Sequence, residues 1–293
     1  MQGLQPLGRE KWWVLLLLAP TLLGLLLGTF GSIFATIGLS FTNWDLLSAP
    51  TYTGFSNYIE LPADKVFVKS FWNTIKFAAL YVPLTMVLSL GVALLLNRHV
   101  RGEGLFRVLY FLPVVSSPTA VGLLWTWIYS EDNGALNNVL SLVGIEPVKW
   151  LGTKVVLYAV VIVNVWGAIG EGMIVFLARL QAIPREHFEA ARVDGANIWQ
   201  RLVYITLPSL LPSLFFQGVL ATIHAFQAFD YIYILTQTSN GNSSMPTLVF
   251  SIYRSGFRFF RMGHAAAQAV VLTFIILIFT WVYFRLQKRW ETT

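Results

Sequence analysis

The stretch Glu189–Pro208, EAARVDGANIWQRLVYITLP, carries four charged residues between apolar segments long enough to cross a bilayer. Of the 293 residues, 56% are hydrophobic and only 12% charged, with a mean hydropathy of +0.65. A soluble domain carries about 25% charged residues, and half that share does not cover the water-facing surface of a chain this size. The net charge is +6, but the basic residues sit beside apolar spans, which fits membrane topology better than nucleic-acid binding. The lack of cysteine excludes disulfides and thiolate metal sites. The four histidines show no metal-ligand spacing.

A helix crosses the hydrocarbon core in roughly 20 apolar residues. Six segments qualify: Trp12–Leu39, Phe71–Leu96, Val108–Tyr129, Val155–Ala178, Leu207–Leu235 and His264–Phe284. They predict an all-α integral membrane protein with six transmembrane helices. The first follows Arg9 and Lys11 but exceeds a signal-peptide core of ~7–15 residues, so it is expected to be retained. The fifth starts with Pro208, Pro212 and Gly218 and is expected to bend or to begin below the interface. Twelve basic residues lie in the N-tail, loops 97–107 and 179–206, and the C-tail: Arg9, Lys11, Arg98, Arg101, Arg107, Arg179, Arg185, Arg192, Arg201, Arg285, Lys288 and Arg289. The other three loops, although longer, hold seven. The positive-inside bias therefore places both termini and the Glu189 loop in the cytoplasm, with Trp12, Trp13 and Trp290 at that interface. Arg254, Arg258 and Arg261 oppose this assignment mildly; their spacing puts them on one face of a surface helix.

The opening stretch reads as a short helix and a turn. Pro184 suits a helix start, where its missing N–H is not needed. Glu186 and Glu189 favour the early turns through the helix dipole, and Ala190 and Ala191 are strong helix formers. Asp194-Gly195 supplies the stop, with glycine fitted to a left-handed C-cap. The result is a helix of about ten residues, small at Ala190, Ala191 and Gly195 and acidic at Glu189 and Asp194. Such a surface seats closely in a partner's groove; an amphipathic connector lying on lipid headgroups gives the same string.

EAARVDGANIWQRLVYITLP also resembles the EAA motif of permease subunits of binding-protein-dependent ABC importers: E-A-A, then Asp-Gly, then I-x-L-P. The resemblance extends through WGAIGEGMIVFLARLQAIP (Trp166–Pro184) and FDYIYILT (Phe229–Thr236). It also covers FTNWDLL and FSNYIEL (Phe41–Leu47, Phe55–Leu61), FWNTIKFAALYVP (Phe71–Pro83), LLLNRHVRGEGLFRVLYFLP (Leu94–Pro113), NGALNNVL (Asn133–Leu140) and YRSGFRFFRMGHAAAQAVVL (Tyr253–Leu272). It lies toward the carbohydrate-uptake branch and the maltose-type first permease. It implies a type I ABC importer permease fold in a prokaryotic cytoplasmic membrane. One transmembrane domain would cover 1–293, with core spans over about 71–284, an extra first span at 12–39 and a cytoplasmic coupling loop at 179–206. The implied assembly is a heterodimer with a second permease, two cytoplasmic ATPase subunits and an extracellular solute-binding protein. ATP and magnesium would belong to the ATPases, since this chain has no G-x-x-x-x-G-K-[ST] and no cofactor of its own. By the same resemblance Glu189, with Arg192 and Asp194 beside it, would contact the ATPase, Ala190 and Ala191 would allow close approach, and Gly195 would make the turn. Two departures stand out: Arg179 where the family often has glycine, and QTSNGNSSMP (Gln237–Pro246) where it often has Gly-Gly-Pro.

Polar groups inside spans are functional candidates by default. The fourth span offers Asn164, Trp166 and Glu171; the fifth offers Gln217, His224, Gln227 and Asp230. Gln217, His224 and Tyr231 recur every seven residues, which on one continuous helix is a single face. Amides, carboxylates and aromatic rings suit a neutral polyol. By resemblance Asn164 matches a position in the maltose-type solute pocket. Each has a plainer role: Gln217 and His224 as interhelical glue, Asp230 as a solvated interface carboxylate, Trp166 as packing, and Glu171 as a partner-subunit contact. The expected cargo is a sugar or oligosaccharide. A phosphorylated polyol such as glycerol 3-phosphate is the alternative cargo, and it would call for a basic pocket. A self-contained secondary transporter would call for inverted repeats with matching broken helices, and no such pair is visible in the sequence. No nucleophile–base or metal constellation marks an enzyme.

Overall fold

The computed structural model describes residues 8–97, 102–237 and 244–291; the side chains of Arg9, Lys11, Lys288, Arg289 and Trp290, and all of Arg98, Arg101 and 238–243, lie outside the described residues. The regular structure is helical apart from one antiparallel pair, β1 (Thr42–Asn43) and β2 (Thr51–Tyr52). In chain order the α-helices are α1 (Gly8–Leu23), α2 (Gly31–Leu39), α3 (Ser56–Glu60), α4 (Lys65–Leu96), α5 (Glu103–Val115), α6 (Pro118–Ile128) and α7 (Ala135–Leu142). They continue with α8 (Val156–Gln181), α9 (Arg185–Val193), α10 (Ile198–Arg201), α11 (Leu207–Gln227), α12 (Asp230–Thr236), α13 (Leu248–Tyr253) and α14 (Met262–Glu291). Among the described residues, five helical segments are long and apolar enough to cross a membrane, six if the bent pair α5–α6 counts as one span.

Two compact units divide the chain, 1–63 with 252–271 and 64–251 with 272–293. In the first, a π-helical turn at Gly24–Phe30 joins α1 to α2. Asn57 Nδ2 donates to the Ser40 and Thr42 carbonyls, each at 2.9 Å, and Arg261 pairs with Glu60 at 2.8 Å. Ser48, through its backbone N–H and its hydroxyl, holds the exposed Asp45 carboxyl below the usual carboxylate range. In the second unit Asp64 caps α4 by accepting from the Val66 and Phe67 N–H groups. There α4 lies along α8, α11 packs on α4, α5 on α8, and α12 on α6. One apolar cluster joins Phe77, Tyr129, Val160, Val163, Ala221 and Ile232; another joins Ala93, Met173, Phe176, Leu180 and Leu210.

Three sequence expectations are corrected here. The third span is not one straight helix: α5 and α6 meet at 100°, because Ser116 and Ser117 are extended ahead of Pro118, which disfavours a helical residue before it. A π-turn at Leu202–Thr206 leads into the fifth segment, which is not one continuous helix but breaks at Ala228–Phe229, so Tyr231 lies on α12. The seven-residue spacing therefore gives Gln217, His224 and Tyr231 no common helical face. Arg254 and Arg258 lie on a π-turn that ends before Phe260, whose φ is +54°, so Arg261 is off that helix. Instead, Arg261 pairs with Glu60, and Arg254 stacks 4.9 Å over the Phe259 ring.

Candidate functional site

The polar loop folds as its residues dictate. Pro184, extended, stands at the N-cap of α9, and Ile183 before it is buried. The helix ends in a Schellman turn: Ala196 N–H donates to the Ala191 carbonyl at 2.8 Å, Gly195 N–H to that of Arg192 at 3.1 Å, and Gly195 takes φ +74°. Asn197 and Gln200 then form a reciprocal capping box for α10. Ile183 and Phe188 seat the loop on the second apolar cluster of α4, α8 and α11. Glu189, Ala190, Arg192, Val193, Asp194 and Gly195 are exposed and Ala191 is half-buried. Val193 is 88% exposed, an apolar residue standing clear of this chain's core. Arg179 Nε donates to the Ser209 carbonyl at 3.1 Å, tying the end of α8 to the start of α11. Phe188, the anchor, went unnoticed in the sequence because one aromatic in a polar loop has no partner in the linear pattern.

Within the spans, Asn164, Gly167 and Glu171 line one stripe of α8 at spacings of three and four. Asn164 Nδ2 donates to the Val160 carbonyl at 2.8 Å. The Tyr231 ring covers Gly167; a Cβ there would sit 3.4 Å from its hydroxyl. Tyr81 of α4, buried and stacked on Phe77 at 5.3 Å, belongs to the apolar cluster against which Tyr231 packs. Trp166, 38% exposed, meets Trp125 of α6 edge to face at 5.8 Å, and Trp125 lies 5.2 Å from Tyr129. The Trp125 indole N–H is buried with no acceptor among the described residues. Asn164 and Glu171 thus share the α8 stripe that Tyr231 covers at Gly167, whereas Trp166 points to another side of α8 and meets Trp125; Tyr81 and Trp125 add to the sequence candidates. Both additions belong to neighbouring helices, and only the packing of α4 and α6 on α8 and α12 reveals them.

The α11 candidates are distributed differently. Gln217 is buried; it closes over Gly172, where a Cβ would sit 3.2 Å from Gln217 Nε2 and also against Ser89. Its position is inside the packing of α4, α8 and α11. His224 and Gln227 are exposed, and Asp230 is exposed at the start of α12. No group of three metal-ligating side chains occurs among the described residues.

Residues 77–292 match the family model described as the binding-protein-dependent transport system inner membrane component. The chain belongs to that family. It is an ABC-transporter permease subunit, a multi-pass membrane protein and a transport component. The probable ABC transporter permease YesP of Bacillus subtilis is 35% identical, over 93% of this chain and 89% of that protein. The trehalose/maltose transport system permease MalF of Thermococcus litoralis is 32% identical, covering 94% and 92%. The sn-glycerol-3-phosphate transport system permease UgpA of Shigella dysenteriae is 30% identical, covering 97% of each. Among solved structures, a chain of a bacterial alginate ABC transporter, in complex with an alginate pentasaccharide-bound periplasmic protein, shares the fold with a TM-score of 0.86. Its identity is 24%, with 96% of each chain covered.

Proposed function

We propose that this permease forms one half of the translocation path of an ATP-driven importer for a sugar or oligosaccharide. A second, different permease completes the path, two cytoplasmic ATPases supply the energy with ATP and magnesium, and an extracellular binding protein delivers the solute. The observation that carries the cargo class is the α8 stripe of Asn164, Gly167 and Glu171 under the Tyr231 ring, and the Trp166–Trp125 pair offers further rings on another side of α8. Asn164 offers its Oδ1 to a hydroxyl donor, the Glu171 carboxylate accepts from hydroxyls, and aromatic rings pack on the apolar faces of pyranoses. The relatives named for trehalose/maltose support this cargo. A phosphorylated polyol is the second reading, favoured by the relatives named for sn-glycerol-3-phosphate.

The chain is placed in a prokaryotic cytoplasmic membrane with six spans and both termini cytoplasmic, α5 and α6 counting as one broken span. Single cysteines at Glu103 and Ser244, in a chain that has none of its own, are expected to label from opposite sides. Glu103→Cys should react only with a reagent that reaches the cytoplasm, and Ser244→Cys with an impermeant maleimide from outside. Labelling of both from one side breaks the six-span topology.

Asn164→Ala tests the pocket. Losing one buried neutral hydrogen bond costs about 0.5–1.5 kcal/mol, so uptake at limiting solute should fall by roughly tenfold or less, with basal ATP hydrolysis of the complex unchanged. Normal uptake at limiting solute would place the pocket elsewhere.

A further inference from the structure

Glu171 sits ten residues before the end of α8, roughly 15 Å along the axis from it, at a depth where a charged side chain is costly unless it serves a function. It is half-buried, and none of the ion pairs among the described residues includes it. Among the described residues, no basic side chain of its own unit forms an ion pair with it. Arg107 pairs with Glu103, Lys149 with Glu131, Arg179 donates to the Ser209 carbonyl, and Lys76 of α4 is exposed. A carboxylate kept as interhelical glue would have its donor. On the same stripe lie the Tyr231 phenol over Gly167, one turn away, and the Asn164 amide, two turns away.

We infer that Glu171 is a charge filter in the translocation path, admitting neutral and amine-bearing saccharides and turning back anionic ones. The inference rests on the sugar-import reading and narrows it to a charge class. Neutral hydroxyls donate to the carboxylate, and an ammonium pairs with it. A carboxylate or phosphate on the cargo meets a like charge within a few ångströms in a medium of reduced dielectric. At about 5 Å and an effective dielectric near 20, that repulsion weakens passage on the order of 100-fold. Two paired carboxylates could relieve it only by sharing a proton or importing a cation, and no described side chain of this chain supplies one at the stripe. Asp230, an acidic group of the fifth segment, is exposed at the head of α12 and carries the same sign.

The test uses the complete transporter in proteoliposomes, with partner permease, ATPases and binding protein. Uptake of three labelled probes of similar length is compared above saturation: maltotriose, trigalacturonate and tri-glucosamine. Wild type should favour maltotriose and tri-glucosamine over trigalacturonate. In Glu171→Gln the trigalacturonate-to-maltotriose ratio should rise at least about tenfold and the tri-glucosamine-to-maltotriose ratio should fall. Glu171→Asp, which keeps the charge, should keep wild-type ratios. Ratios normalise away differences in the amount of assembled complex. Equal ratios in wild type and Glu171→Gln, or a wild type that takes trigalacturonate as readily as maltotriose, overturn the filter while leaving sugar import standing. If wild type moves none of the three and instead takes up glycerol 3-phosphate, the sugar reading fails and the filter falls with it.

Discussion

Gly195→Pro is expected to leave the chain in the membrane, assembled with its ATPases, and to abolish stimulation of ATP hydrolysis by the loaded binding protein. The apolar spans that insert the chain lie outside the loop, so insertion is untouched. The turn itself cannot survive. Gly195 holds φ +74°, proline is fixed near −65°, and the Gly195 N–H that closes on the Arg192 carbonyl would be gone. Gly195→Ala separates strain from steric blockage. Nothing lies within 4 Å of a Cβ there, so alanine meets only the left-handed penalty of about 1–2 kcal/mol. It should give an intermediate loss of stimulation. Glu189→Ala, on an exposed position that contributes nothing to this chain's core, should uncouple without lowering stability. Phe188→Ala should also uncouple, by freeing α9 from the cluster of Phe176, Leu180 and Leu210 on which it rides. Stimulation measured in the reconstituted complex decides: full stimulation in Gly195→Pro would remove α9 from the coupling role.

Gly170→Val should produce a large loss of stability. A Cβ at Gly170 falls well inside the van der Waals contact distance of the Tyr110 carbonyl oxygen, 2.9 Å from its carbon and 3.0 Å from Phe111 Cα. These are backbone atoms, so no rotamer change clears them, and α5 must lift off α8. Overpacking of a tight contact costs about 1–3 kcal/mol and more where backbone has to move. Alanine should fall at the low end of that range and valine above it. Thermal unfolding of the purified complex reports the effect. Gly91→Ala on α4, with nothing within 4 Å of the added carbon, is the control and should leave the transition unchanged or slightly raised. A normal transition in Gly170→Val would contradict the α5–α8 contact. Because Gly170 adjoins Glu171, the same contact fixes the rotation of α8 and hence the direction of the carboxylate stripe.

The sequence alone determined the class of the molecule and the position of its polar α9 loop. Apolar runs of bilayer length are a one-dimensional signal, since a helix in lipid satisfies its own backbone and needs no partner to be recognised. The α9 turn was legible for the same reason: Pro184, Ala190, Ala191 and Gly195 act through local backbone preferences, and the observed helix at Arg185–Val193 lies where they place it. The tertiary structure decided what depends on neighbours. The 100° bend between α5 and α6 had a local cause in Pro118, yet hydropathy, which averages over the window, smoothed across it. Tyr231 left the face expected of it because the helix breaks at Ala228–Phe229, and a seven-residue spacing means one face only on an unbroken helix. Gln217, a polar candidate within a span, is buried beside Ser89 and Gly172, while Trp125, which meets Trp166, and Tyr81, in the cluster against which Tyr231 packs, carry no signal in the linear pattern. Which polar group faces a path and which faces a neighbouring helix is set by how α4, α6, α8 and α11 rotate against one another. That rotation is fixed by contacts between residues far apart in the chain, such as Gly170 on Tyr110.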